Sequence, residues 1–239
     1  MLKLLALALT LLAGAAHADA DLHTDLPLSY LEQTQDEARN QPLVIFLHGF
    51  GSNEEDLFDI KDALPSTWTY LSVRAPMPVE PNGFRWFTKT PGDGDYDGVT
   101  ADLQSSAKLI EDFVVKATAK YHTQSDRVFL VGFSQGAIMS YEVGLRKPEL
   151  LRGIAALSGS VLPVLKAELK PNEALGKLAI FIGHGTLDQP LPYALGTRAN
   201  EALQGLGLKP QFHGYPGMNH TISEAEIQDL KAWLEKSLK

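Results

Sequence analysis

The chain has 239 residues, of which 44% are hydrophobic and 21% charged, a composition typical of a folded globular protein rather than a disordered one. Its 21 Lys and Arg residues against 29 Asp and Glu residues leave a formal charge of −8 without a long basic run, which excludes an electrostatic footprint for nucleic acid or anionic lipid. The sequence contains no cysteine, which excludes disulfides, Cys-ligated metal centres and a thiol nucleophile, so any nucleophile must be an oxygen or a nitrogen.

The first eighteen residues are typical of a secretory signal peptide. Lys3 supplies a positive start, Leu4–Ala16 is apolar, and Ala16-His17-Ala18 is a small-x-small cleavage site. The alternative, an uncleaved membrane anchor, is disfavoured because the apolar stretch is shorter than the roughly 20 residues a spanning helix needs. We therefore expect cleavage after Ala18, one domain over residues 19–239, a secreted or periplasmic location and no stable membrane insertion.

Short apolar runs alternate with helical patterns along the rest of the chain. The runs are rich in β-branched and aromatic residues, and several lack polar alternation, which predicts strands buried on both faces. They are Leu43–Leu47, Thr69–Val73, Arg127–Gly132, Gly153–Leu157, Leu178–Gly183 and, more weakly, Gln211–Tyr215. Strand and helix alternating five or six times predict an α/β fold, with a mostly parallel sheet covered by helices on both faces and any site at the carboxyl ends of the strands.

Two helices are predicted most clearly. Within Thr100–Tyr121, apolar residues recur at spacings of three and four and should pack on the sheet; they are Leu103, Ala107, Ile110, Val114, Ala117 and Tyr121. The last helix opens at Ser223, an N-cap residue that forms a predicted capping box with Glu226 three positions later. The apolar face of this helix comprises Ile227, Leu230, Leu234 and Leu238.

A serine follows the Arg127–Gly132 run at a sharp turn between strand and helix. The segment Gly132-Phe133-Ser134-Gln135-Gly136 has the G-x-S-x-G pattern of a nucleophile elbow, and an apolar helical stretch follows it. Glycines flank the serine because the turn is crowded, and the serine itself is expected in a strained conformation with Oγ exposed. The alternative is a glycine-rich helix start with Ser134 as a simple cap.

An elbow serine requires a base and an acid, because its hydroxyl is a poor nucleophile unless an imidazole takes the proton. The expected chain order is serine, acid, histidine. Of the downstream histidines, His213 lies within a predicted strand, where a packed or surface position explains it. His184 precedes its nearest acid, Asp188, which is contrary to the expected order. We therefore favour His220, which lies in the loop before the last helix.

Among the possible acids, Asp188 leaves the carboxyl end of a buried strand, in Gly183-His184-Gly185-Thr186-Leu187-Asp188. A carboxylate there can accept the imidazole N–H and fix its tautomer. The remaining candidates are expected to be solvated surface residues; they are Glu142, Glu149, Glu168, Glu173 and Glu201.

Two backbone N–H groups are expected to form an oxyanion hole. The residue after the nucleophile, Gln135, normally supplies one, and the loop after an early strand supplies the other. That loop is His48-Gly49-Phe50-Gly51-Ser52-Asn53, in which paired glycines let the backbone bend, so Phe50 is the second predicted donor. His48 is expected to fix this loop through hydrogen bonds rather than to transfer protons.

These motifs resemble those of the carboxylesterase/phospholipase family of α/β-hydrolases, which includes acyl-protein thioesterases. The resemblance rests on FLHGFGSNEEDLF, Arg85-Trp86-Phe87, GFSQG, LSGSVLP, GHGTLD and GMNHTIS, and it extends from about Pro42 to Lys239. It implies the triad Ser134, Asp188 and His220, oxyanion donors at Phe50 and Gln135, and hydrolysis of short- to medium-chain acyl esters or thioesters without metal or organic cofactor, by a monomer or homodimer. Thr88 departs from the family, because many relatives carry Asp there.

A second sequence pattern is a candidate for a different function, the binding of calcium. Asp93-Gly94-Asp95-Tyr96-Asp97-Gly98 reproduces the first half of a calcium loop, but position twelve is Gln104 instead of Glu, and Pro91 interrupts an incoming helix. We expect an acidic solvated loop near the active-site mouth and no metal.

The sequence therefore predicts a serine esterase acting on a small-molecule acyl ester. Alternatives are a thioesterase, a lysophospholipase or a polysaccharide deacylase with the same triad and, from another class, a non-catalytic binding protein on a hydrolase scaffold. Four apolar residues are candidates for the substrate pocket, although core packing explains them equally well; they are Phe84, Trp86, Leu162 and Leu165.

Overall fold

The computed structural model describes residues 21–35, 39–90 and 97–239. The predicted signal peptide and the residues Asp93–Tyr96 of the acidic loop lie outside these ranges, so signal-peptide cleavage and the expectation of an acidic loop without metal stay predictions. Within the described ranges, no helix combines the length and the apolar character needed to cross a membrane.

A seven-stranded sheet forms the centre of the fold. Its strands are β1 (Tyr30–Gln33), β2 (Leu43–Leu47), β3 (Thr69–Val73), β8 (Val128–Phe133), β9 (Gly153–Leu157), β10 (Ala179–Gly185) and β11 (Gln211–Tyr215). They lie in the order β1-β3-β2-β8-β9-β10-β11, and every pair is parallel except β1 with β3. The mostly parallel α/β sheet is confirmed; the antiparallel edge strand β1 was not predicted, because it carries only a short half-buried pattern.

The described part of the chain also forms two small hairpins and six α-helices. The hairpins pair β4 (Met77–Val79) with β5 (Gly83–Arg85) and β6 (Lys89–Thr90) with β7 (Asp97–Gly98). The helices are α1 (Thr100–Lys120), α2 (Gln135–Arg146), α3 (Pro163–Glu168), α4 (Glu173–Lys177), α5 (Tyr193–Gly205) and α6 (Glu224–Ser237), with 3-10 turns at Phe58–Ala63, Ser125–Arg127 and Pro148–Leu150.

Helices cover both faces of the sheet because its strands are apolar on both sides. In β2, Leu43 and Ile45 belong to the core with α1, α2 and α5, whereas Val44 and Phe46 belong to the core with α6 and the first 3-10 turn. The five predicted apolar positions of α1 from Leu103 to Ala117 are buried. At the start of α6, Ser223 Oγ accepts a hydrogen bond from the Glu226 N–H at 3.2 Å, which confirms the predicted N-cap.

The parallel register brings the carboxyl ends of the central strands to one edge. Leu47 of β2 lies beside Gly132 of β8, and Phe133 of β8 lies beside Leu157 of β9. The loops after β2, β8, β10 and β11 therefore meet at this edge, as the sequence predicts.

Candidate active site

Ser134 occupies the turn between β8 and α2 in a strained backbone conformation. Its φ is +56° and its ψ is −116°, a region that non-glycine residues rarely adopt. The turn is held on both sides: the Ser134 N–H donates to the Leu157 carbonyl at 3.0 Å, and its carbonyl accepts from the Ile138 N–H at 3.1 Å. The predicted strand–turn–helix geometry around Ser134 is thus present.

The glycines of the elbow allow close backbone approach. A Cβ on Gly132 would overlap the Gly136 carbonyl, and a Cβ on Gly136 would overlap the Leu47 carbonyl oxygen and stand 2.8 Å from that of His48. Only glycine fits at either position because the helix start packs directly on backbone.

Ser134, His220 and Asp188 form a continuous chain of polar contacts. Ser134 Oγ lies 3.0 Å from His220 Nε2, and His220 Nδ1 lies 2.8 Å from Asp188 Oδ2. Asp188 is an acceptor, so His220 Nδ1 carries the proton and Nε2 is free to accept from the serine hydroxyl. The Asp188 side chain has no exposed surface, whereas the His220 side chain is 19% exposed. The imidazole therefore lies between a buried carboxylate and solvent. The sequence predicted these three residues from widely separated segments, and the fold brings them together.

Hydrogen bonds tie the loop that carries Asp188 to the loop that carries His220. Asp188 Oδ1 accepts from the Leu191 N–H at 2.9 Å, which fixes the carboxylate plane. The Leu187 N–H donates to the Met218 carbonyl at 2.9 Å, and the Gly217 N–H donates to Thr186 Oγ1 at 2.9 Å. The acid and the histidine are therefore positioned as one unit.

The two histidines that were set aside have structural roles. His184 is fully buried, and its Nε2 lies 2.7 Å from the Leu191 carbonyl and 3.5 Å from Asp188 Oδ2. Burial lowers the pKa of His184, so the neutral ring supports the Asp188 loop, a role that chain order alone did not reveal. His213 lies on β11, where its Nδ1 is 3.2 Å from Asp229, in agreement with its interpretation as a packed strand residue.

One of the acids predicted to be on the surface is buried. Glu142 lies in the middle of α2, and its Oε2 accepts from Arg146 Nε at 3.0 Å, one helical turn later. The prediction of a solvated Glu142 is wrong because α2 is buried nearly all round, so this carboxylate pairs with the half-buried Arg146 of the same helix. Glu149, Glu168, Glu173 and Glu201 are exposed as expected.

The loop after β2 lies against Ser134, where the second oxyanion donor is expected. A Cβ on Gly49 would lie 3.4 Å from Ser134 Cβ, and Gly51 adopts φ +76° to turn the chain. The Phe50 N–H donates no hydrogen bond to the described part of the chain, and the Phe50 ring is 55% exposed. The loop that carries Phe50 thus lies beside Ser134 at Gly49, and the roles of the Phe50 and Gln135 N–H groups as oxyanion donors stay predictions.

A buried network fixes both donor segments. His48 Nδ1 lies 2.7 Å from the Gly49 carbonyl, and its Nε2 accepts from the Ala75 N–H at 3.1 Å, which confirms that His48 holds the loop. Burial lowers the pKa of His48, which is therefore neutral. The Trp86 indole N–H donates to the His48 carbonyl at 2.9 Å, and the Trp86 backbone N–H donates to Gln135 Oε1 at 3.0 Å. Trp86 thus links the two predicted donors.

The structure places most of the candidate pocket residues in the core. Trp86 and Leu165 have no exposed surface and Leu162 has 1%, because the large apolar cluster around α1 and α2 takes them up. The Phe84 ring packs against that cluster beneath the Arg74 guanidinium at 4.7 Å, and its backbone bonds to Gly51 and Ser52 hold the oxyanion loop. In this conformation a substrate does not reach Trp86, Leu162 or Leu165, and Trp86 supports the site from behind.

A groove of about 360 Å³ opens beside His220. Its lining includes five apolar side chains, although polar atoms supply the larger share of the exposed surface; the lining residues are Asp56, Leu57, Ile60, Phe133, His220, Thr221, Ile222 and Ile227. The Phe133 ring lies 4.7 Å from the His220 ring, so the residue before the serine is also a wall of this groove. A larger cavity of about 430 Å³ between α3 and α5 includes no residue of the Ser134–His220–Asp188 chain.

Comparison with known proteins places the chain in one hydrolase family. Residues 30–238 match the sequence model of the family described as Phospholipase/Carboxylesterase. Acyl-protein thioesterase 1 of Neurospora crassa is 29% identical over 220 residues, covering 84% of this chain and 89% of that protein. Acyl-protein thioesterase 1 of Cryptococcus neoformans var. neoformans serotype D is 30% identical over 235 residues, covering 89% and 98%.

A solved structure has the same fold. The crystal structure of esterase PE8 superposes with a TM-score of 0.73 at 29% identity, covering 87% of this chain and 98% of that one. The chain therefore belongs to the phospholipase/carboxylesterase family of α/β-hydrolases, and it is a carboxylic ester hydrolase.

Proposed function

We propose that this chain is a serine esterase that cleaves short- to medium-chain acyl esters through a covalent acyl-enzyme. The observation that carries this proposal is the contact chain from Ser134 Oγ through His220 to Asp188, in which each heavy-atom distance is 3.0 Å or less. These distances are short enough for direct proton transfer between the serine and the imidazole.

In the first half of the reaction, Ser134 Oγ attacks the acyl carbonyl while His220 Nε2 takes the hydroxyl proton. The imidazolium is stabilised by the buried carboxylate of Asp188 and then gives its proton to the leaving alcohol. In the second half, His220 takes a proton from water, the hydroxide attacks the acyl-enzyme, and Ser134 leaves with the proton from His220.

Negative charge develops on the carbonyl oxygen in both halves. The backbone N–H groups of Phe50 and Gln135 would stabilise it, each by about 3 kcal/mol on the scale of known oxyanion donors. Their support by Trp86 and His48 keeps the donors in place before the substrate arrives, so little reorganisation is needed.

The groove beside His220 supports a substrate with a modest apolar part. Ile60, Phe133, Ile222 and Ile227 give this mixed polar and apolar groove an apolar patch, and its volume of about 360 Å³ lies near the lower end for ligand pockets. A thioesterase is the second candidate function, because two of the similar proteins are named acyl-protein thioesterases. We also propose, from the N-terminal eighteen residues, that the enzyme acts in a secreted or periplasmic location.

Hydrolysis of p-nitrophenyl esters tests the proposal. Ser134→Ala should lower kcat for p-nitrophenyl butyrate by at least about 10³-fold with unchanged circular dichroism, whereas the control Ser105→Ala, on the exposed side of α1, should behave as wild type. Wild-type turnover in Ser134→Ala would contradict the proposed nucleophile. Matched oxygen esters and thioesters from two to sixteen carbons would then decide between esterase and thioesterase, and a maximum only at sixteen carbons would contradict the proposed chain length.

A further inference from the structure

Glu226, in the first turn of α6, is a fully buried acid that the proposed reaction does not use. The residue has no exposed surface, and neither carboxyl oxygen makes a hydrogen bond to any residue within the described ranges. Leaving a buried carboxyl without a partner is costly, and an ionised one more so. Such a group requires an explanation beyond the capping of a helix.

The position of Glu226 connects it to both loops of the site. A Cβ on Gly183 would overlap Glu226 Oε1 and lie 3.2 Å from the Tyr215 ring, so the carboxyl fills the space above a glycine of β10 beside the last residue of β11. Asp188 follows the end of β10 by three residues, and His220 lies between the end of β11 and the start of α6. Glu226 therefore lies where the three elements that carry these two residues meet.

The surroundings of Glu226 favour the neutral carboxylic acid. Burial is the largest cause and raises its pKa to about 8. The Ser223 backbone N–H, which makes no hydrogen bond of good geometry with either carboxyl oxygen, lowers this pKa, and the nearby Asp229 raises it. Asp229 itself contacts the Tyr215 hydroxyl at 3.1 Å and His213 at 3.2 Å. No cation within the described ranges is among the groups that shift this pKa.

The basic and titratable groups on the elements packed against α6 have other partners, and Arg152 donates from Nε to the Ser237 carbonyl at the far end of that helix. On the first 3-10 turn, Lys61 lies 3.2 Å from Asp62 and 3.9 Å from Asp59. On β10, His184 is neutral and bonded to the Leu191 carbonyl. An ionised Glu226 would therefore draw water into the junction rather than find a counter-charge.

We propose that Glu226 is a positioning residue whose neutral carboxyl seals the junction between β10, β11 and α6, and whose ionisation loosens the loop that carries His220. The effect on catalysis rests on the proposed function, because His220 is the proposed base. The link is mechanical: Pro216–Ile222 is attached to α6 directly, and a shift of that helix start would lengthen the contact between His220 and Ser134.

The pH profile of kcat separates this role from a simple cap. Glu226→Gln keeps the shape and the capping ability of the side chain but cannot ionise. Wild-type kcat should fall about tenfold between pH 7 and pH 9, and Glu226→Gln should keep its kcat over that range. The control Glu224→Gln, an exposed acid in the same helical turn, should fall like wild type. An equal alkaline fall in Glu226→Gln, or an inactive but folded Glu226→Gln at pH 7, would overturn the proposal.

Amide hydrogen exchange tests the same idea without catalysis. At pH 9, residues 216–222 should exchange faster in wild type than in Glu226→Gln, while strand β8 exchanges equally in both. If the variant does not fold, the ratio of exchange in 216–222 to exchange in β8 within wild type should still rise between pH 6.5 and pH 9. A constant ratio would overturn the role of Glu226. If wild type itself hydrolyses no ester at any pH while residues 216–222 exchange as expected, the proposed function is contradicted and the role of Glu226 in the loop is not.

Discussion

Adding one methyl group at Gly136 should damage both the stability and the activity of this protein. Gly136 is the second residue of α2, where the helix start crosses the end of β2. A Cβ there would overlap the Leu47 carbonyl oxygen and stand 2.8 Å from the His48 carbonyl oxygen, where contacts below 3.0 Å essentially never occur. Because the obstacle is backbone of a central strand and its loop, neither partner can rotate away.

The size of the effect follows from this overlap. Overpacking in a core typically costs 1–3 kcal/mol, and the rigid surroundings place Gly136→Ala at or above about 3 kcal/mol. Alanine favours a helix over glycine by about 1 kcal/mol, which offsets only part of that cost. The shifted helix start also carries Ser134 and the Gln135 N–H, so kcat/KM should fall by at least about 10²-fold.

Urea unfolding and p-nitrophenyl butyrate hydrolysis measure the two effects. The matched control is Gly176→Ala in the short helix α4, where an added Cβ meets nothing within 4 Å, and this change should be neutral or slightly stabilising with unchanged activity. If the free energy of unfolding of Gly136→Ala lies within about 0.5 kcal/mol of the wild-type value and its kcat/KM is unchanged, the close approach of α2 to β2 is not the reason that glycine is required in this elbow.

Asp188→Asn should lower kcat by about 10³–10⁴-fold with little change in KM, because an amide in place of the buried carboxylate favours the wrong tautomer of His220; a loss below tenfold would contradict this role. Trp86→Phe removes the hydrogen bond to the His48 carbonyl and should cost about 1–3 kcal/mol in urea unfolding, together with a lower kcat; wild-type values for both would refute the linking role. Glu226→Gln should be more stable than wild type at pH 9 by up to about 5 kcal/mol, since a carboxyl whose pKa rises from 4.5 to about 8 on folding loses its stabilising contribution progressively as pH rises from 4.5 through about 8; equal urea midpoints at pH 9 would refute this.

The central sheet and the three residues Ser134, Asp188 and His220 could be predicted from local sequence patterns. Ser134 was found because strand, sharp turn and helix leave a G-x-S-x-G pattern within a few residues. Asp188 and His220 were found because each follows a recognisable strand, and parallel strands bring such loops to one edge. These inferences depend only on neighbours in the chain and on the order of the elements.

The remaining features depend on contacts between distant segments. The sequence suggested Trp86 as a candidate residue of the substrate pocket. Only its hydrogen bonds to His48 and Gln135 show that it lies behind the oxyanion loop. Glu142 was predicted to be a surface acid because the sequence of one helix does not show that its neighbours cover it on nearly all sides. The capping pattern identified Glu226, but its burial follows from Gly183 on another strand.

Covalent labelling shows whether Ser134 is an activated nucleophile. A fluorophosphonate probe reacts with a serine only when a base activates it, so intact-mass measurement reports the activated nucleophile itself. We predict that wild type gains one adduct, located by peptide mapping to Ser134, and that Ser134→Ala gains none. Labelling of Ser134→Ala to the same extent, or hydrolysis by a wild-type enzyme that the probe never labels, would contradict the assignment of Ser134 as the nucleophile.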